Sequence, residues 1–208
     1  GDGLTGQIPA DIGKLTNLTS FHIAGNGLTG PIPADVNKLT NLTSFYIAGD
    51  GLTGQIPDVR DLTNLTSLSI YGNSLNSTIP WQIGLLSKLT SLYLQGGQLN
   101  GQIPDSFASL INLTYLTIRG TQVTGPIPTW INSLTKLQGL DLSYNQLSGA
   151  IPSTIGSLSQ LTGLWLGGNR LGSSATGPST GIPGELGNLS NLYTLDLHSN
   201  ALTGPIPG

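Results

Sequence analysis

The sequence predicts an α/β solenoid assembled from stacked copies of one short strand–turn–coil unit. Three observations carry that expectation. The pair Ile-Pro occurs nine times, at Ile8-Pro9, Ile32-Pro33, Ile56-Pro57, Ile79-Pro80, Ile103-Pro104, Ile127-Pro128, Ile151-Pro152, Ile182-Pro183 and Ile206-Pro207, and seven of the eight spacings are 23 or 24 residues. Apolar residues recur at fixed offsets from each pair, in a phrase close to LxxLxLxGNxLxGxIPxxIxxLxx. The chain also repeats itself almost verbatim: residues 17–33 read NLTSFHIAGNGLTGPIP and residues 41–57 read NLTSFYIAGDGLTGQIP. One such unit cannot bury its own apolar side chains, whereas stacked units can.

The unit 18–41 shows how each element arises. LxxLxLx is a short strand, predicted over 18–24, with Leu18, Phe21 and Ile23 inward and Thr19, Ser20, His22 and Ala24 outward. Gly25 permits a turn, Leu28 dips back into the core, Ile32 follows it, and Pro33 ends the extended piece because it cannot donate to a ladder. Val36 and Leu39, three apart, suit a 3₁₀-like or short helical segment on the back. The same reading places strands at 42–48, 65–71, 89–95, 113–119, 137–143, 161–167 and 192–198. Full repeats start at Leu18, Leu42, Leu65, Leu89, Leu113, Leu137 and Leu161, between a partial turn, 1–17, and a partial repeat, 192–208. Residues 1–208 thus read as a single domain.

Asn26, Asn73, Asn145, Asn169 and Asn200 hold the slot after the turn glycine, with Asp2 and Asp50 as acidic variants. A buried amide there can bond backbone groups that the tight bend leaves orphaned. Gly97 and Thr121 break the pattern in adjacent repeats, so a local weak point is expected there. Repeat 42–64 is one residue short, with Asp58 alone between Pro57 and Val59. Repeat 161–191 carries seven extra residues within GSSATGPSTG, which reads as a tolerated surface loop.

Composition excludes several functions. Only 8% of residues are charged, the net charge is −3 and no basic run exists, which argues against nucleic acid and anionic membrane as partners. The chain has no Cys, so disulfides, thiolate nucleophiles and Cys-ligated zinc are excluded. No apolar run is long enough to cross a bilayer, so membrane insertion of this segment is not expected.

These repeats resemble leucine-rich repeats of the plant type, whose mark is the LxGxIP extension, over essentially the whole chain. That class includes receptor-kinase ectodomains and polygalacturonase-inhibiting proteins. The resemblance implies a right-handed superhelix with a parallel β-sheet on the concave face, 3₁₀ or short helices on the convex side, and a smaller strand-like run at LxG on one flank. It further implies an extracellular, secreted or cell-surface protein that recognises a protein, peptide or glycan and needs no cofactor. The Cys-paired end caps usual in the class are absent here.

Seven of the nine Trp and Tyr residues fall on or beside the strands at outward positions: Tyr46, Tyr71, Tyr93, Tyr115, Tyr144, Trp165 and Tyr193. Only Trp81 and Trp130 lie on the back, and truncating Trp130 is expected to matter little. Aromatics bring large contact area at low entropy cost, so a column of them suggests a binding surface. Arg119, Asp141, Asp196 and His198 add polarity to the C-terminal half of that face. Asp141 and Asp196 sit two repeats apart, about 10 Å at the usual strand spacing. That is too far for a retaining glycosidase pair, with no burial to raise a pKa. His198 beside Asp196 has neither a Ser nucleophile nor a third metal ligand.

Sequons occur at Asn17, Asn41, Asn64, Asn76, Asn112 and Asn188, candidates for N-glycosylation on one rim. Four of them share the phrase NLT, which the repeat itself could impose. A Thr/Asn/Ser column at the LxG positions (Thr5, Thr29, Thr53, Asn76, Asn100, Thr124, Ser148 and Thr203) is similar to ice-contacting arrays. End-to-end self-association into filaments is the other alternative. Ile118 is expected to face the core and Thr117, one residue away, to face out.

Overall fold

The computed structural model describes residues 3–72, 74–173 and 181–207. Asp2, Asn73 and most of GSSATGPSTG lie outside the described residues. Eight parallel strands form one continuous sheet along the concave face: Ser20–Ala24, Ser44–Ala48, Ser67–Tyr71, Ser91–Gln95, Tyr115–Arg119, Gly139–Asp141, Gly163–Trp165 and Thr194–Asp196. Each pairs with the strand one repeat away, residue for residue. The chain is a right-handed solenoid, the hand that parallel crossovers take.

Every strand begins two residues later than the sequence phrase suggests. The entry is a forked bond instead: the Thr43 and Ser44 amides both donate to the Thr19 carbonyl, at 2.7 and 3.3 Å. On the back, each described 3₁₀ segment starts directly after the proline of an Ile-Pro pair: Ala10–Lys14, Ala34–Lys38, Trp81–Leu85, Asp105–Ser109, Thr129–Ser133, Ser153–Ser157 and Gly184–Asn188. Proline fixes φ without needing a bond for its missing N–H, which suits that entry. The shortened repeat, with Asp58 alone after Pro57, forms no such segment.

The core is an unbroken file of Leu, Ile, Val and Phe between sheet and back. Ile118 is fully buried in it. Leu18 and Ile23, in the first full repeat, are partly buried. Thr117 departs from expectation: it points to the concave side, yet it is only 9% exposed. It is in register between Tyr93 and Asp141, whose larger side chains shelter it.

The LxG flank carries two smaller parallel sheets, Thr5–Gln7 to Ser74–Leu75 and Thr124–Gly125 to Arg170–Leu171. Between them, around Gly97, the regular strands give way to a bridge from Thr78 to Asn100, but backbone bonds still join the repeats: Gln98 N–H to Leu75 O at 2.8 Å and Gln122 N–H to Leu99 O at 2.8 Å. Thr121 is no weak point. It is buried, and its hydroxyl bonds the amide oxygen of Asn145.

The asparagine slot works in the C-terminal half. Asn145 donates to the Ile118 and Leu142 carbonyls at 2.7 and 2.9 Å. Asn169 donates to Leu142 and Leu166 at 2.9 and 3.0 Å, and accepts from Leu147 N–H at 3.0 Å. Asn200 repeats the pattern with Leu166 and Leu197. Asn26 and Asp50 are exposed instead. Backbone geometry separates the two groups. Before Asn145, Asn169 and Asn200 the chain is left-handed, with φ of 55°, 69° and 49° at Tyr144, Gly168 and Ser199. Gly25 and Gly49 do not have positive φ. The left-handed residue turns the next side chain inward.

Candidate functional site

Outward-facing residues of the concave sheet form straight columns because the register is exact from strand to strand. The central column runs His22, Tyr46, Ser69, Tyr93, Thr117, Asp141, Trp165, Asp196. A second column runs Ala24, Ala48, Tyr71, Gln95 and Arg119. Two clusters result.

The N-terminal cluster is an aromatic stack. Ring centroids lie 4.0 Å apart for His22–Tyr46, 5.3 Å for Tyr46–Tyr71 and 6.3 Å for Tyr71–Tyr93. Tyr71 leans from the second column over Ser69, which is therefore buried. Burial pushes the Tyr71 phenol up, with its hydrogen bond to Ser69 acting the other way. His22, read from sequence only as an outward residue, is the end member of this stack.

The C-terminal cluster is polar and interlocked. Arg119 bonds Asp141 at 3.1 Å, and its guanidinium carbon stands 5.0 Å from the centre of the Tyr144 ring. Asp141 also accepts from the Ser143 amide and hydroxyl, at 2.9 and 2.6 Å. Tyr144 meets His198 edge-on, with ring centroids 5.7 Å apart. The His198 ring nitrogen lies 2.5 Å from Asp196 Oδ1, and that hydrogen bond holds the Asp196 carboxyl below its usual range. Trp165 stands in register between Asp141 and Asp196.

Glycines make room for this cluster. A Cβ at Gly163 would meet the Trp165 ring at 2.1 Å, and one at Gly167 would meet His198 at 2.3 Å. A Cβ at Gly139 would come within 2.9 Å of Tyr115, and one at Gly168 within 2.8 Å of Tyr144. Tyr144 and His198, two repeats apart, touch across the bare backbone of Gly167 and Gly168. These four glycines give the neighbouring rings their space, and the sequence reading passed over them. For Gly139, Gly163 and Gly167 a signal was available: there glycine takes outward slots that hold side chains in other repeats, whereas Gly168 holds the usual turn-glycine slot.

Tyr144 itself occupies a slot that holds glycine in six of the eight strands' turns: Gly25, Gly49, Gly72, Gly96, Gly120 and Gly168. Its φ of 55° is one that bulky residues rarely adopt, and its side chain is 49% exposed. Tyr193 stands apart, at the rim before the last strand and 79% exposed. Trp130, by contrast with its expected indifference, packs on the core and donates its indole N–H to Asp105 at 3.0 Å.

The NLT phrase forms a rim ladder. Asn41, Asn64 and Asn112 each donate to a backbone carbonyl of the preceding repeat, at 2.9, 3.0 and 2.9 Å. Thr43, Thr66 and Thr114 hydroxyls donate likewise to Thr19, Thr43 and Thr90 carbonyls. Lys88 and Lys136 cap the Asn64 and Asn112 amide oxygens, each at 2.7 Å. Asn17, Asn76 and Asn188 are exposed. Among the described residues no three His, Cys, Asp or Glu side chains come together as a metal site, and no helix is long and apolar enough to cross a membrane.

Comparison with known proteins adds to this geometry. The leucine-rich-repeat family pattern matches residues 111–171, and its single-repeat form matches 17–39, 64–86 and 88–110. No curated protein sequence matches the chain. Among solved structures, the ectodomain of the Arabidopsis receptor kinase HAESA, in complex with an IDA peptide hormone ligand, superposes with a TM-score of 0.89 at 36% identity, covering 98% of this chain and 33% of that one. The plant peptide hormone receptor RGFR1, in complex with RGF2, gives 0.83 at 32% identity, covering 99% and 36%. A plant ice-binding protein gives 0.76 at 29% identity, covering 99% and 72%. The chain thus spans about a third of the receptor ectodomains it resembles.

Proposed function

The chain belongs to the leucine-rich-repeat family, and from that premise we propose that it is a non-catalytic recognition segment whose concave face binds an extended peptide or protein. The observation that carries this reading is Tyr144. A tyrosine in a glycine slot costs stability, and its exposed ring returns little to the fold. Strain of this kind persists where function requires the side chain. Arg119, Asp141, Trp165, Asp196 and His198 surround it with the mixture of aromatic and charged groups typical of binding hot spots. The likeness to receptors that bind peptide hormones supports the same reading. Within it, the chain works outside the cell, secreted or as part of a cell-surface protein, and carries N-glycans on some of its sequons.

Selection from a displayed random-peptide library tests the proposal. Binders should be recovered that lose at least about tenfold in affinity with Trp165→Ala, the scale of a hot-spot truncation, and keep it with Trp81→Ala. Binders insensitive to every concave-face change would overturn it.

The likeness to the ice-binding protein favours a second reading, through the Thr/Asn/Ser column. The flank register speaks against it: Thr29 pairs with Gln7 and Thr53 with Pro31, so the threonines step obliquely rather than forming a straight rank.

A further inference from the structure

The two back-side tryptophans share a context that the concave-face reading does not use. The phrase QIPD occurs twice, at 55–58 and 102–105, and each copy is followed one repeat later by a tryptophan, Trp81 or Trp130. Both pairs line grooves at the corner between flank and back. In the second groove, of about 250 Å³, Asp105 accepts the Trp130 indole N–H and the pair is locked. In the first, the missing residue of repeat 42–64 removes the 3₁₀ segment, and Asp58 turns to Arg60 instead, at 2.7 Å to the side chain and 3.0 Å to the amide. Trp81 is left 53% exposed over a groove of about 570 Å³. Arg60 stands 6.0 Å from the Trp81 ring centre, at the outer limit of a cation–π contact.

We propose that this first groove binds a neutral saccharide, independently of the concave face. Its volume falls in the range of small-ligand sites. Its charges, Asp58 and Arg60, are spent on each other, so a charged ligand would have to break that pair. The remaining polar lining, Gln55, Ser77, Thr78 and Gln82, consists of uncharged amides and hydroxyls. An exposed flat indole beside uncharged hydrogen-bonding groups matches a sugar ring, which has an apolar C–H face and a hydroxyl edge.

Calorimetric titration with cellohexaose and with chitohexaose tests the proposal. At least one should bind. Trp81→Ala should weaken that binding at least tenfold, and Trp81→Tyr, which keeps a stacking ring, should weaken it less. One alanine inserted between Asp58 and Val59, restoring the full repeat length, should close the groove and weaken binding similarly, with the thermal midpoint confirming that the variant folds. Trp165→Ala should change nothing. No binding of either saccharide at millimolar concentration, unchanged affinity in Trp81→Ala, or tighter binding of a charged oligogalacturonate would each overturn the assignment, and none of these outcomes bears on the concave face.

Discussion

At the scale of single residues, Tyr144 is where stability and the proposed recognition pull apart. The left-handed conformation costs a non-glycine residue roughly 1–2 kcal/mol, and the exposed cation–π contact with Arg119 returns about 0.5–1 kcal/mol. Tyr144→Ala keeps the strain and loses the contact, while Tyr144→Gly removes both. The glycine variant should therefore unfold above the alanine variant by about 1 kcal/mol, some 2–4 °C for a chain of this size, and both should lose affinity for a concave-face ligand. Thermal midpoints in the reverse order would show that the left-handed backbone at position 144 stores no strain. Asp196 offers a pH test. Its pKa is lowered in the folded chain, chiefly by the His198 side chain. A carboxyl so depressed contributes stability that is present above its unfolded pKa and is lost as pH falls through the folded one. The Asp196 carboxyl, followed by NMR, should thus titrate at lower pH in the parent than in His198→Ala. Equal titration would remove the hydrogen bond as the cause. Ile118→Asp buries an unpaired charge and should cost several kcal/mol, enough to prevent folding of the central repeats. Thr117→Asp is no longer the neutral control the alternation suggests. It would set a carboxylate in register with Asp141, a like-charge pair that destabilises by up to about 1 kcal/mol.

At the scale of elements, the buried asparagines join consecutive turns. Asn145→Ala would take the amide donor from the Ile118 carbonyl, while the Leu142 carbonyl keeps Asn169, at a cost of about 1–3 kcal/mol. Hydrogen exchange should then quicken around Thr121 and Val123, whose amides depend on Asn145 and Thr121 oxygens, and Asn26→Ala, at an exposed slot, should leave exchange unchanged. This contrast could not be read from the repeat phrase, because Asn26 and Asn145 occupy the same slot. What differs is the sign of φ at the residue before, and glycine permits either sign. The strands, the parallel stacking and the proline-initiated 3₁₀ turns were legible because each rests on a local rule with a fixed period. The concave column was legible for the same reason, since alternation decides facing. Shelter was not: Thr117 faces out yet is covered by side chains from the neighbouring repeats, and Ser69 by Tyr71 of its own strand. Trp130 was misjudged because its partner, Asp105, lies one repeat away. The NLT phrase carried two meanings from the start, and the rim ladder supplies a structural reason for it whether or not a glycan is attached.

At the scale of the whole molecule, the concave sheet and the LxG flank are rival working surfaces. They differ in continuity. The concave sheet runs unbroken through eight strands, while the flank is split into sheets of four and three strands. An ice-binding surface needs a flat, regular array over many repeats. Here Thr29 and Thr53 are each offset by two residues from the threonine of the repeat before, and Asn76 and Asn100 interrupt the threonines. A peptide-binding surface needs the reverse: variation from repeat to repeat, anchored at a few points. The concave columns supply it, passing from the stacked rings of His22, Tyr46, Tyr71 and Tyr93 to the charged cluster around Trp165. The two surfaces can be tested on one folded protein. Ice growth watched in a nanolitre droplet should show no faceting and no thermal hysteresis at concentrations where peptide binding saturates. Thr29→Asp with Thr53→Asp, which would ruin an ice plane, should leave peptide affinity unchanged, whereas Trp165→Ala should reduce it at least about tenfold. Faceted ice that the threonine changes abolish and Trp165→Ala spares would reverse the assignment, because the surface under selection would then be the flank.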